Sequence, residues 1–260
     1  MSLTLKSLME TISHLLLDIE GTTCPVSFVA ETLFPYASHH FASFLGTHGH
    51  ETAVRELVDD LINHWHQDPD PRAPHFDPLL TTSKQERGEA DAEPERIIPY
   101  LQWLVSVDRK ITALKDLQGM IWEEGYAKQD LHGPLFEDVP PALNALYRQG
   151  LVLAVYSSGS VRAQQLLYGH TQAGNLVPLF QHWFDTRIGR KQEPASYQRI
   201  SELMATSPEA ILFISDATSE LEAASSAGLQ VLFSQRPGNP QQDPGPYASL
   251  ASFSALHGYR

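Results

Sequence analysis

From Gly133 onward short apolar runs alternate with amphipathic stretches. Leu151–Tyr156, Ile211–Ile214 and Leu229–Phe233 read as strands, and Val139–Gln149, Val161–Tyr168, Ala195–Met204 and Ser219–Ala227 read as helices. Strands this short and continuously apolar are buried on both faces, and the helices between them are the crossovers that parallel strands need. The pattern therefore restricts this part of the chain to an α/β fold with a parallel sheet. Gly150 and Gly228 stand where helices stop, Ser219 and Glu222 have capping-box spacing, and Tyr247–Leu256 is expected to pack as a last helix.

A further apolar run lies near the start, in Leu15-Leu16-Leu17-Asp18-Ile19-Glu20-Gly21-Thr22-Thr23. It delivers two carboxylates into a Gly-Thr turn. On a strand, residues i and i+2 share a face, so Asp18 and Glu20 are expected to point the same way. At a buried strand end, two carboxylates require a cation, basic groups or a raised pKa. The alternative is that both are solvated at an ordinary strand end.

Between these regions the texture is helical. Val26–Leu45, interrupted by Pro35, reads as one or two helical pieces, and Glu51–His66 is amphipathic through Val54, Leu57, Val58, Leu61, Ile62 and Trp65. Gln67–Pro94, rich in Pro, Asp, Glu and Ser, reads as a long loop, after which Glu95–Val107 and Thr112–Tyr126 return to helical spacing. These segments form an expected insert of packed helices. His64 and His66, two apart on a helix, face different ways and make no shared metal site; His39 and His40 read as surface or packing residues.

Composition excludes several function classes. The formal net charge of −13 disfavours nucleic acid as a partner, because phosphate backbones are bound by clustered Lys and Arg. A small phosphorylated substrate is still compatible, since a divalent cation, backbone amides and one or two basic side chains suffice to hold it. No apolar run approaches the ~20 residues of a membrane span. Met1–His14 shows no secretory pattern, which predicts a cytoplasmic protein. Cys24 is the only cysteine, so no internal disulfide and no multi-cysteine metal site can form. Beside the acidic turn it reads as a packing residue, a nucleophilic role being the alternative.

Ligands of an open α/β sheet bind beyond the carboxyl ends of its strands, so residues following each predicted strand should converge. Asp18 and Glu20 follow the first; Ser157, Ser158, Gly159 and Ser160 follow the second; Ser215 and Asp216 follow a later one, with Glu220 beyond. Lys191 lies in the connecting loop Ile188–Pro194. Hydroxyls and amides entering a helix can cradle phosphate, although Ser-Ser-Gly-Ser also makes an ordinary turn and cap, and a loop lysine or a strand-end aspartate is commonplace singly. The ordered set is far more specific than its members.

That set resembles the haloacid dehalogenase-like hydrolases. Within them, Leu17-Asp18-Ile19-Glu20-Gly21-Thr22-Thr23, Phe34-Pro35-Tyr36, Gln118-Gly119-Met120-Ile121-Trp122, Tyr156-Ser157-Ser158-Gly159-Ser160, Phe184-Asp185-Thr186 and Arg236-Pro237-Gly238-Asn239 are similar to the enolase-phosphatase, or acireductone synthase, family of methionine salvage. Glu20 is the most diagnostic, standing where most phosphatases of the superfamily have Asp. Cys24, Lys128-Gln129-Asp130 and Arg190 depart from the family pattern, which touches substrate fit more than the chemistry.

The resemblance implies a Rossmann-like parallel sheet core flanked by helices, residues 1–23 and 131–260, with a helical cap domain, residues 24–130, inserted in it. It implies Asp18 as nucleophile and Mg²⁺ ligand, the main-chain carbonyl of Glu20 and the carboxylate of Asp216 on the same metal, Lys191 neutralising Asp18 and the phosphate, and Ser157 and Ser158 orienting the phosphate. The side chain of Glu20 would be the acid/base. The implied reaction is enolisation of 2,3-diketo-5-methylthiopentyl-1-phosphate and hydrolysis of the enol phosphate through an aspartyl-phosphate, by a monomer. The rival expectations are a phosphomonoesterase of the same superfamily, a dehalogenase, and a catalytically silent phosphate-binding module.

Overall fold

The computed structural model describes residues 5–76 and 94–256. The chain divides into two compact units, Met1–Val29 with Gln129–Arg260, and Ala30–Lys128.

The first unit holds a six-stranded sheet in the order β3-β2-β1-β4-β5-β6, every neighbouring pair parallel. Its strands are β1 (His14–Leu17), β2 (Val152–Tyr156), β3 (Phe180–Phe184), β4 (Ile211–Ser215), β5 (Gln230–Ser234) and β6 (Ser249–Leu250). Leu15, Leu16 and Leu17 are completely buried because β1 is flanked by β2 and β4 and covered on both faces. Around the strands run helices α1 (Leu5–Thr11), α6 (Val139–Arg148), α7 (Val161–Gly169), α8 (Pro194–Leu203) and α9 (Thr218–Ser226). One face of the sheet packs Leu16, Tyr156 and Phe213 against Tyr197, Ile200 and Leu221 from these helices. The α/β class expected from the alternating runs is the one found.

The second unit holds α2 (Phe34–His48), α3 (Thr52–Gln67), a 3₁₀ turn (Pro94–Ile97), α4 (Ile98–Ser106) and α5 (Thr112–Ala127). A π-helical turn, Val29–Leu33, leads into α2, and Pro35 sits in the first turn of α2, where its missing N–H costs no helical hydrogen bond. The stripe of α3 is buried at Val54, Val58, Leu61 and Trp65, and Trp65 stacks on Tyr100 of α4 at 5.0 Å. The Trp122 indole donates to the Leu33 carbonyl at 2.8 Å. His64 meets the Tyr100 hydroxyl at 2.7 Å while His66 lies against Phe76, so the two histidines serve different neighbours. Of the expected loop Gln67–Pro94, residues 77–93 lie outside the described residues. No helix among the described residues is long and apolar enough to cross a membrane.

Several local expectations are corrected. β1 ends at Leu17, so Asp18 and Glu20 sit in a turn past the strand and the i, i+2 rule does not govern them. The Asp18 amide still bonds Ile214 O at 3.0 Å, but the Ile19 carbonyl then gathers the amides of Thr22, Thr23 and Cys24 at 2.9–3.1 Å. That closes the chain into a tight turn. α9 starts at Thr218 with Ala217 as an uncapped N-cap, and Ser219 is exposed, so no capping box forms with Glu222. The expected last helix is instead β6 followed by a 3₁₀ turn, Phe253–Leu256. Its backbone is drawn away from helix by the ladder bonds Phe233 N to Ala248 O and Gln235 N to Leu250 O, at 2.9 and 3.0 Å. Asp138 adds to this by accepting from Ser252 Oγ and Phe253 N, at 2.9 and 2.6 Å.

Candidate active site

The strand order reverses at β1: β2 and β3 lie to one side, and β4, β5 and β6 to the other. Such a switch point opens a crevice at the carboxyl ends of the strands. In the register of the ladders Leu17 lies level with Val155 and Ile214, so Asp18, Ser157 and Asp216 all emerge at this edge.

Asp18 is buried, and its Oδ1 lies 2.6 Å from Nζ of Lys191, itself buried. The ammonium also lies 2.6 Å from Oε2 of Glu220, an oxygen that accepts from Ser215 Oγ at 2.8 Å. Burial alone would lower the Lys191 pKa, but the Asp18 and Glu220 carboxylates hold it above its ordinary range. Glu220 is itself pushed up, by burial first and then by Asp18, with Lys191 opposing. The loop carrying Lys191 is fixed from outside: Tyr197 OH donates to Lys191 O at 2.7 Å, Ser196 Oγ to Arg190 O at 2.8 Å, and Tyr156 OH to Gly189 O at 2.9 Å. A lysine so held is charged and aimed, in contrast to a solvated loop lysine.

Among the described residues Asp216 makes no such ion pair. Burial, then Asp18 and Glu220, push its carboxyl up to about 7 against the weaker pull of Lys191. Its Oδ2 rests against the backbone of Gly21, where φ is +70° and an added Cβ would stand 2.1 Å from that oxygen. Only glycine allows both the turn and the contact. Asp18, Asp216 and Glu220 are three carboxylates around one ammonium, an excess of negative charge that a cation would balance. Among the described residues no three His, Cys, Asp or Glu side chains suffice for a metal site. A bound ion would therefore complete its shell with backbone, phosphate and water oxygens, as hard divalent cations do. Asp18 and Asp216 fit that demand.

The Ser157–Ser160 turn is built differently from a row of free donors. Ser157 is buried, its amide bonds Phe184 O at 3.2 Å, and its Oγ accepts from the Gly159 amide at 3.3 Å. Ser160 Oγ caps α7 by accepting from Ala163 N at 3.3 Å, and Ser158 is exposed. Gln164 braces the turn by donating to Gly159 O and Phe184 O at 2.9 and 2.8 Å. The hydroxyls of Ser157 and Ser158 lie on this turn, where a phosphate would meet them.

Glu20 is half-buried, and its backbone forms a β-bridge with Cys24. The Cys24 thiol is buried and pushed up, by burial first and then by Glu20 and Asp18, which makes it an inert packing group. Two residues that matter here carry no role in the sequence reading. Glu220 stands in a helical turn where an exposed acid is ordinary. Tyr168, on α7, reaches Thr23 Oγ1 at 2.7 Å and braces the acidic turn from behind. Their signal is spatial: Glu220 lies one helical turn beyond the end of β4, and Tyr168 comes to the acidic turn from the far end of α7.

The family model of the haloacid dehalogenase-like hydrolases matches residues 12–228. The enolase-phosphatase E1 of Prochlorococcus marinus is 47% identical over 248 residues, covering 95% of this chain and 99% of the relative. That of a Synechococcus strain is 47% identical over 235 residues, covering 90% and 93%. Among solved structures, the Unknown transcript 4 protein of Saccharomyces cerevisiae superposes with a TM-score of 0.68 at 32% identity, covering 94% of this chain and 99% of that one. CbbY from Rhodobacter sphaeroides, at 16% identity and a TM-score of 0.55 over 95% and 97% of the two chains, shares the fold. With matches of that extent, the chain belongs to the haloacid dehalogenase-like hydrolases and, within them, to the enolase-phosphatases.

Proposed function

We propose that the chain converts 2,3-diketo-5-methylthiopentyl-1-phosphate, through its enol phosphate, to 1,2-dihydroxy-3-keto-5-methylthiopentene and inorganic phosphate in methionine salvage. The observation that carries the reading is the buried Lys191 ammonium held 2.6 Å from both Asp18 and Glu220. It places a fixed positive charge beside Asp18 at the switch point, where a phosphoryl group would gain more in transfer than on binding.

Asp18 is then the nucleophile. Its carboxylate oxygen bonds to phosphorus as the bond from phosphorus to the enol oxygen breaks, and Glu20 gives that oxygen its proton. Water next attacks the aspartyl-phosphate, passes a proton to Glu20, and returns Asp18 as carboxylate with release of phosphate. Ser157 and Ser158 orient the phosphate oxygens and Lys191 offsets their charge. The acid/base role assigned to Glu20 is worth ~10²–10⁴-fold in rate. The metal of this metal-dependent hydrolase is assigned as Mg²⁺, on Asp18, Asp216 and the Glu20 carbonyl, and when bound it supplies charge neutralisation to the phosphoryl group.

Residues 24–130 are assigned as the cap and residues 1–23 and 131–260 as the core, in a cytoplasmic monomer. The diketo phosphate supplied with Mg²⁺ should give a new ultraviolet enol absorbance together with or ahead of phosphate. Phosphate without an enol signal would make the chain a simple phosphomonoesterase, and neither signal would make it a silent relative.

A further inference from the structure

The motif Arg236-Pro237-Gly238-Asn239 takes no part in the chemistry above, yet the side chains of Arg236 and Asn239 are buried beside it. Gly21 O, in the turn that follows Asp18, accepts from Ser234 Oγ at 2.9 Å and from Asn239 Nδ2 at 2.8 Å. The next carbonyl, Thr22 O, accepts from Arg236 Nε at 3.3 Å. Ser234 is fully buried, and Arg236 and Asn239 are 5% and 6% exposed. Three donors from the end of β5 thus converge on two successive carbonyls of the acidic turn.

Each donor is itself held. The Arg236 guanidinium lies between the rings of Phe136 and Phe253, at 4.5 and 5.2 Å, and pairs with Asp138 at 3.0 Å. Asn239 Nδ2 also donates to Ser234 O at 3.3 Å, so two carbonyls fix which end of the amide faces the turn. Its Oδ1 is buried with no hydrogen-bond partner among the described residues. Leaving a buried acceptor unsatisfied is unfavourable, and such an arrangement persists where the group has another task. The task is visible at Gly21: the point where its Cβ would stand is 2.1 Å from Asp216 Oδ2 and 3.0 Å from Asn239 Nδ2. The turn, the metal-binding acid and the asparagine meet at one backbone position.

We propose that Ser234, Arg236 and Asn239 form a positioning clamp on Gly21 and Thr22, which holds the turn behind Asp18 in register with Asp216 and so sets the rate of phosphoryl transfer. The clamp touches neither Lys191 nor Ser157, so it acts on the step and leaves phosphate binding alone. Its kinetic consequence rests on the function proposed above; its mechanical one does not.

Ser234→Ala, Asn239→Ala and the double variant test it. Ser234→Ala is near-isosteric and keeps the pair falsifiable if the asparagine variant folds poorly. Each single loss should lower kcat by about three- to tenfold with KM within about twofold, the scale of one net hydrogen bond, and the double should exceed either. In the absence of metal and substrate, amide exchange at Thr22, Thr23 and Cys24 should quicken by a similar factor while β1 amides are unchanged. Kinetics are run on both the diketo phosphate and p-nitrophenyl phosphate. Turnover of the nitrophenyl ester alone would overturn the proposed substrate while the clamp is still read on that ester. Unchanged exchange would overturn the clamp, and so would faster exchange with unaltered kcat or a rise confined to KM.

Discussion

Gly21→Ala strikes first at the contact on which the placement of Asp216 depends, with Asn239 Nδ2 next at 3.0 Å from the same point. The new Cβ would stand 2.1 Å from Asp216 Oδ2 and 2.5 Å from its Cγ, where ordinary contact begins at 3.4 Å. The carboxylate must therefore retreat by about 1.3 Å, or the turn must move by a comparable amount. A displacement of ~1 Å in a catalytic group is worth about 10²-fold in rate. Independently, alanine at a φ of +70° carries a backbone strain of ~1–2 kcal/mol. Gly150→Ala separates the two effects, because Gly150 has a φ of +87° and nothing within 4 Å of its added Cβ. Both variants should lose ~1–2 kcal/mol in urea unfolding, whereas kcat for phosphate release should fall about 100-fold in Gly21→Ala and hold in Gly150→Ala. Equal kcat in the two variants would show that Asp216 need not lie against Gly21.

Asp18→Asn removes the proposed nucleophile and should abolish phosphate release while circular dichroism is unchanged; turnover at the wild-type rate would refute the assignment. Glu220→Gln keeps a partner for Ser215 but removes one of the two charges that aim Lys191, so kcat should fall about ten- to a hundredfold. An unaltered kcat would reduce Glu220 to packing. In the helical unit, His48 lies 2.6 Å from both Glu51 and Glu124. Its pKa is raised from 6.5, chiefly by the Glu51 hydrogen bond, against some burial and with help from Glu124. The stabilisation is therefore complete below 6.5 and is lost as pH rises through the raised value. The pair is solvent-accessible, so a decline of ~0.2–1 kcal/mol in urea stability across that window is expected, absent in His48→Gln. A decline of the same size in the variant would assign it elsewhere.

The strands that the sequence reveals are those buried on both faces. Ile211–Ser215 is wholly buried and its first four residues, Ile211–Ile214, read as an unbroken apolar run, whereas β3, Phe-Gln-His-Trp-Phe, lies at the sheet edge with polar positions between aromatics and leaves no clean period. α1 escapes for a related reason: Met9 is its one buried residue, too little to set a stripe. The misplaced cap of α9 has another origin. Ser219 and Glu222 satisfy a local rule, but Ser215 takes the Ala217 amide at 3.2 Å and starts the helix earlier. A competing local turn at the end of β4, beside the site, overrides the capping preference, which is where such conflicts are expected.

The same distinction governs the candidate site. Asp18, Ser157 and Asp216 were legible because a parallel sheet delivers the residue after each strand to one edge, and strand ends can be found in one dimension. Lys191 and Glu220 come from loop and helix, where spacing says nothing about direction. The pairing of Lys191 with both Asp18 and Glu220 appears only when the Lys191 loop, α9 and the end of β1 are folded together. Gly21 lies between these cases. Its place after Glu20 announces a turn, but the reason that no side chain is tolerated there is a carboxylate 195 residues later in the chain (Asp216) pressed against its Cα face. A sequence can therefore disclose which groups react while concealing what holds them in register. In this protein the holding is done by carbonyls of Gly21 and Thr22, whose acceptor role leaves no trace in residue type.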